Sequence, residues 1–198
     1  MHSIRRLLLL LSAIIATTLI YWNLSTRSQS TTATMGSASE RPLRLAILLN
    51  DTPQPKTLAR VGNYHGVFSA LLSAAVAPEP LDSQLTITSH DVVNDLDSYP
   101  NLDEIDALLL TGSKHTAFDN DPWILKLVEY TKKALDSGKV KVIGVCYGQQ
   151  IIARAVGAPI GRSDKGWEVA VTESELTEKG KEIFKLDKMV SYSSSAPP

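Results

Sequence analysis

Cysteine is almost missing from this sequence of 198 residues: Cys146 is the only one. One thiol excludes an intramolecular disulfide framework and any cysteine-rich metal site. Histidine is nearly as scarce, and His2, His65, His90 and His115 show no ligand spacing. An excess of one charge sign is missing as well. The net charge is −1, and the densest basic groups (Lys132 with Lys133; Lys179, Lys181, Lys185 and Lys188) are interleaved with acids, which describes a solvated face and no nucleic-acid partner. What remains is 43% hydrophobic and 21% charged, an ordinary globular chain long enough for one domain with appendages.

The first forty residues stand apart. Arg5 and Arg6 precede LLLLLSAIIATTLIYW, residues 7–22, an apolar run somewhat shorter than the ~20 residues of a full membrane span. Residues 1–24 read as a signal peptide or signal anchor, and the Ser/Thr-rich residues 25–42 as a disordered linker. An anchor would associate with the membrane through residues 7–22, with the arginines on the cytoplasmic side and the main domain across the bilayer. Initiation at Met35 would instead leave the domain in the cytosol. Localisation is therefore open. Asn50-Asp51-Thr52 forms a glycosylation sequon where a glycan would crowd the expected substrate edge, so Asn50 is expected to stay unmodified in a working domain.

From Leu43 on, strands and helices alternate. LRLAILL is a continuous apolar run, as expected of a strand buried on both faces of a parallel sheet. YHGVFSALLSAAVA places Val67, Leu71, Leu72 and Ala75 at helical spacing before Pro78 and Pro80 stop it. Strands are expected within Leu85 to Val93, Ile105 to Leu110 and Val140 to Val145. The helix between the last two is capped by Asn120 or Asp121, has Pro122 in its first turn, turns Ile124, Leu127, Val128, Ala134 and Leu135 inward, and ends at Gly138. A helix from Gly148 to Val156 follows. Farther on, Gly166 to Thr172 alternates like a strand, Leu176 to Phe184 reads as a short helix, and residues 189–198 read as a disordered tail. Such βαβ alternation predicts an α/β fold with a mostly parallel sheet covered on both faces.

Ligands of such sheets sit beyond the carboxyl ends of the strands, where the loops Asn50 to Pro55 and Thr111 to Asp121 meet the segment IGVCYGQ. G-x-C-x-G has the spacing of a nucleophile elbow, a strained strand-to-helix turn that presents one side chain at its apex. The bland alternative is a thiol packed as a small hydrophobe. At an elbow, the positive end of the following helix favours a thiolate at Cys146, and the backbone N–H of Tyr147 points where an oxyanion would develop. A second donor comes from the Gly112 to Ser113 turn, unless Gly112 serves only a tight turn.

IGVCYGQQIIARAVG resembles the nucleophile motif of class-I glutamine amidotransferases, and LLLTGSKHTAFDNDPWI resembles their oxyanion loop. RSDKGWEVAVTESELTEKGKEIF is similar to a stand-alone branch that includes gamma-glutamyl peptidases. PfpI-like proteins also use an elbow cysteine, but with His next to it, where Tyr147 stands here. The amidotransferase resemblance covers residues 43–188 and implies a flavodoxin-like three-layer fold, incomplete at the C-terminus. It also implies Cys146 as nucleophile, Gly112, Ser113 and Tyr147 as oxyanion donors, Gln150 as a substrate contact, and no metal or cofactor. The substrate would be glutamine or a gamma-glutamyl small molecule, with a separate protein as ammonia acceptor or simple hydrolysis. Gln149 departs from the family's usual His. A further departure is that the His-x-Glu pair expected about a hundred residues after the nucleophile is not present, since no histidine follows His115. The resemblance therefore implies either an enzyme inactive as written or a silent binding domain.

Overall fold

The computed structural model describes residues 41–162 and 169–194. LRLAILL forms β1, Leu43–Leu49. Successive side chains of a strand point to opposite faces, and here both sets are buried: Ala46 and Leu48 in one apolar cluster, Leu45, Ile47 and Leu49 in the other. Three short or medium helices follow, α1 (Pro55–Val61), α2 (Tyr64–Val76) and α3 (Leu81–Gln84), before β2, Leu85–Asp91. Next come β3 (Ala107–Leu110), α4 (Pro122–Ser137), β4 (Lys141–Gly144) and α5 (Tyr147–Ala155). The four strands form one parallel sheet in the order β2-β1-β3-β4. α2 covers one face through Phe68 and Leu72, and α4 and α5 cover the other through Ile124, Leu127, Tyr147 and Ile151. This is the expected three-layer α/β arrangement.

Local differences have local causes. β2 falls within the expected Leu85 to Val93 and stops at Asp91, whose carboxylate accepts from the N–H groups of Val93 and Asn94 at 3.2 and 3.0 Å and turns the chain. The buried stripe of α2 runs through Phe68, Leu72, Ala75 and Val76, leaving Val67 and Leu71 only half-buried. Asp121 takes the N-cap position of α4 without a capping side-chain bond, and Pro122 fixes the first turn instead; Gly138 closes the helix at φ 63° as expected.

The largest correction concerns the end of the chain. Residues 189–198 read as a disordered tail, yet Lys188–Ser194 forms β6 and pairs antiparallel with β5, Val169–Glu175, around α6, Glu178–Phe184. Thr177 caps α6 by accepting from the Gly180 N–H at 3.2 Å. Serine composition suggested disorder, whereas cross-strand pairing to VAVTESE decides the outcome. Of the strand expected at Gly166 to Thr172, residues 166–168 lie outside the described residues, and the described part runs on to Glu175. Residues 7–22, expected to target or anchor the chain, lie outside the described residues, as do residues 195–198. Among the described residues no helix is long and apolar enough to cross a membrane.

Candidate active site

Strand register assembles the site. Leu48 pairs with Leu110, and Leu110 with Gly144, so three adjacent strands end at one level. The chain therefore leaves the sheet side by side at Asn50, Thr111 and Val145, on the edge where open parallel sheets bind ligands.

Between β4 and α5 stands Cys146, exposed, with φ 53° and ψ −107°. A residue bearing a Cβ is strained there by roughly 1–3 kcal/mol. Exposure at a strained apex removes the alternative of a thiol packed in the core. The flanking glycines are needed for space. A Cβ at Gly144 would stand 2.5 Å from the backbone of Gln149 and Gly148, and one at Gly148 would be driven into the Leu110 carbonyl oxygen and lie 2.7 Å from Leu110 Cβ. Thus α5 starts backbone against backbone on β3 and β4. In its first turn Gly148 donates to the Val145 carbonyl, and Gln149 and Gln150 donate to that of Cys146. The Tyr147 N–H has no acceptor among the described residues, which makes it an open donor of the helix N-terminus. Its side chain is buried and stacks on Trp123 at 6.0 Å.

Gly112 faces the elbow. A Cβ added there would lie 3.7 Å from Cys146 Cβ, an ordinary contact, and its φ lies outside the left-handed region. Backbone conformation therefore does not demand glycine at 112; open space before the thiol is what a side chain would remove. Its N–H, like that of Tyr147, has no acceptor among the described residues. The Ser113 hydroxyl accepts from the His115 N–H at 3.0 Å, so it braces its own loop. Gln150 is exposed in the first turn of α5. Cys146, Gly112 and Tyr147 thus come together, with Ser113 and Gln150 flanking them.

Two latches join the loops after β1 and β3. Asn50, fully buried, donates from its backbone to Thr111 Oγ1 and from its side chain to the Thr111 carbonyl, both at 2.9 Å. That geometry leaves no room for a glycan on Asn50 in the folded domain. Asp51 accepts from the backbone and side chain of Lys114, each at 2.7 Å. Neither latch follows from the sequon reading of these residues. Tyr64 was also missed. It begins α2 and packs in the same apolar cluster as Val145; burial, then the negative charges of Asp51 and Cys146, raise its phenol above the ordinary value. A helix starting at the carboxyl edge was the available signal.

The three described histidines each have other partners. His90 bonds Thr88 Oγ1 at 3.3 Å on the outer strand β2, His65 lines a groove with Ser69, Leu81 and Asp82, and His115 sets its ring edge against Trp123 at 5.1 Å. Among the described residues none hydrogen-bonds Cys146.

The family model "Glutamine amidotransferase class-I" matches residues 61–194. The chain belongs to the class-I glutamine amidotransferase family. This amidotransferase-family chain is 35% identical over 144 residues to a glutamine amidotransferase-like protein of Schizosaccharomyces pombe, covering 71% of this chain and 58% of that one. It is 36% identical over 110 residues to gamma-glutamyl peptidase 4 of Arabidopsis thaliana, covering 56% and 41%. It therefore spans about half the length of these relatives. A solved glutamine amidotransferase from Thermotoga maritima shares the fold, with a TM-score of 0.53 at 14% identity over 80% of this chain and 63% of that one.

Proposed function

We propose that Cys146 is the nucleophile of a gamma-glutamyl amide hydrolase, and the observation that carries this is a non-glycine residue held at φ 53° on a strand-to-helix apex. The thiolate attacks the side-chain amide carbon: an S–C bond forms and the carbonyl π pair moves onto oxygen. The N–H groups of Gly112 and Tyr147 face that oxyanion. Collapse breaks the C–N bond and releases the amine, which takes its proton from water, leaving a gamma-glutamyl thioester that a second water hydrolyses. The relatives named gamma-glutamyl peptidases favour a gamma-glutamyl amide or peptide over other amides, with ammonia or amine released to water or to a separate acceptor.

Proton delivery is the weak half. Without a positioned acid–base group, turnover falls by ~10²–10⁴-fold. These 198 residues are therefore expected to form thioester without sustained turnover. The second reading, a silent domain that binds gamma-glutamyl compounds, is favoured only by the lack of a hydrogen bond from any described histidine to the thiol. Incubation with gamma-glutamyl amides followed by a hydroxylamine quench separates the two. The expected result is at most one equivalent of hydroxamate, absent in Cys146→Ser. Binding with no hydroxamate and no alkylation of Cys146 would support the silent domain. Steady turnover lost in His115→Ala would instead assign His115 as the base.

A further inference from the structure

We propose that Asn50 is a positioning residue for oxyanion stabilisation: its side-chain amide, bonded to the carbonyl of the Thr111–Gly112 peptide, fixes that peptide plane so that the Gly112 N–H is presented to the Cys146 elbow. This rests on the nucleophile reading of Cys146.

The geometry is direct. Asn50 Nδ2 donates to the Thr111 oxygen at 2.9 Å. In a planar trans peptide the C=O and the N–H point in opposite directions. Fixing the Thr111 carbonyl toward Asn50 therefore turns the Gly112 N–H away from it, and Gly112 borders Cys146. Three more bonds immobilise the same unit: Asn50 N–H to Thr111 Oγ1 at 2.9 Å, Thr111 N–H to the Leu48 carbonyl at 3.2 Å, and Thr111 Oγ1 to the Gly112 carbonyl at 3.1 Å. Donation to the carbonyl end of a peptide also polarises its N–H end. Chemistry fixes the amide orientation, since only Nδ2 can face a carbonyl oxygen.

Burial marks the residue as more than a space filler. Asn50 has no exposed surface, and its Oδ1 has no partner among the described residues. An apolar side chain of similar shape would fill this position without leaving a buried acceptor unpaired. What such a side chain could not do is hold the Thr111 carbonyl.

Two alkylating reagents test this on the full 198-residue chain. A chloroketone analogue of glutamine first adds the Cys146 sulfur to its carbonyl, generating an oxyanion, and then loses chloride as sulfur displaces it. Iodoacetamide loses iodide in one displacement with no oxyanion. The ratio of the two rates cancels the thiolate fraction. Asn50→Ala should lower the limiting chloroketone rate about ten-fold, less than the ~10²–10³ for outright loss of an oxyanion donor, with the half-saturating concentration and the iodoacetamide rate unchanged. Asn50→Asp adds a second, independent arm. While protonated its carboxyl can donate to Thr111, so its rate ratio should approach the parent's at low pH and fall as it ionises, whereas the parent's ratio stays flat. If circular dichroism shows Asn50→Ala unfolded, the pH profile of Asn50→Asp decides alone. Equal slowing by both reagents, a change confined to half-saturation, or a flat Asn50→Asp ratio equal to the parent's would overturn the proposal. A folded parent chain that takes neither reagent would defeat the nucleophile reading itself, and this inference with it.

Discussion

The two edges of the parallel sheet are held by different chemistry. At the amino edge the Asp106 carboxylate accepts from Arg41 at 2.6 and 2.7 Å, from the Arg44 guanidinium at 3.2 and 2.9 Å, and from the Arg44 N–H at 2.9 Å, while Lys139 pairs with Asp103 nearby. Charge and solvent share the work there. At the carboxyl edge the principal latch is a buried neutral amide and hydroxyl, Asn50 with Thr111, beside a cysteine in a strained conformation. Open donors and strain therefore collect on the carboxyl edge, while the Asp106 and Asp103 ion pairs tie the amino edge. Strain persists only where surrounding structure over-determines it, and here the glycine contacts of α5 supply that constraint.

Breaking that constraint should produce the largest effect. Gly148→Ala pushes a Cβ into the Leu110 backbone, which cannot move without disturbing the β3–β4 pairing. We expect a loss of about 3 kcal/mol or more, readable as a collapsed urea midpoint, because overpacking against backbone has no cheap relaxation. Stability within ~1 kcal/mol of the parent would mean that α5 docks loosely.

Gly112→Ala separates function from fold at the same edge. Its Cβ meets only ordinary contacts and its backbone is not left-handed, so stability should change by no more than ~0.5 kcal/mol. The new methyl narrows the space before the thiol. The substitution keeps the backbone N–H, so the expected slowing of chloroketone labelling, roughly ten-fold, would come from displacing the reacting carbonyl from that donor and stay below the ~10²–10³ for outright donor loss. Loss of stability with unchanged labelling would return Gly112 to a purely structural role.

Much of this was legible in the sequence, for a physical reason. LRLAILL buries both of its faces, so a continuous apolar run sufficed to place it inside a covered sheet. G-x-C-x-G likewise located the elbow, because the two glycines answer a local crowding that any such turn creates. The latches were not legible. Asn50 and Thr111 stand sixty-one residues apart, and only the register of β1 on β3 brings them together. The last strand was missed for a related reason: serines in SYSS say little alone, and pairing with β5 is a non-local fact. Tyr64 reads as one more aromatic residue on an amphipathic helix until the helix is placed against Val145.

Removing charge from the amino edge should cost stability without touching the thiol. The guanidinium bonds of Arg41, then of Arg44, hold the Asp106 carboxyl well below the usual range. Because the folded state depresses this ionisation, its contribution is present above the unfolded value of ~3.9 and is lost as the pH falls through the folded value. Asp106→Asn should cost about 1–2 kcal/mol at pH 7, moderated by solvent at this edge. Its deficit relative to the parent should shrink below about pH 4. Iodoacetamide labelling of Cys146 should not change. A labelling change would show that the two edges are coupled.

Cys146→Gly tests the strain itself. Glycine relieves the positive φ, offset by its greater freedom when unfolded, so the variant should gain about 1 kcal/mol while losing all labelling. A stabilised, inert variant is the outcome expected of a position that trades stability for chemistry. Destabilisation instead would mean that the side chain packs more than it strains.

The smallest effect belongs to the Asp51–Lys114 ion pair at the carboxyl edge. Burial alone would raise the Asp51 carboxyl, but hydrogen bonds from the Lys114 side chain and backbone and from the Thr52 N–H outweigh it and leave it below the ordinary value. The Lys114 side chain is 69% exposed against 7% for Asp51, so water screens the cation more than the anion. Lys114→Met removes the ammonium and keeps both backbone donors, and should cost no more than ~0.5 kcal/mol. That small contribution should fade in high salt, and since the folded state depresses this carboxyl, it should also be lost as the pH falls through the folded value, below ~4. A thermal or urea measurement showing more than ~1.5 kcal/mol would exceed the range of exposed pairs. The ammonium would then be holding the β1 and β3 loops together, and the carboxyl edge would depend on charge as the amino edge does.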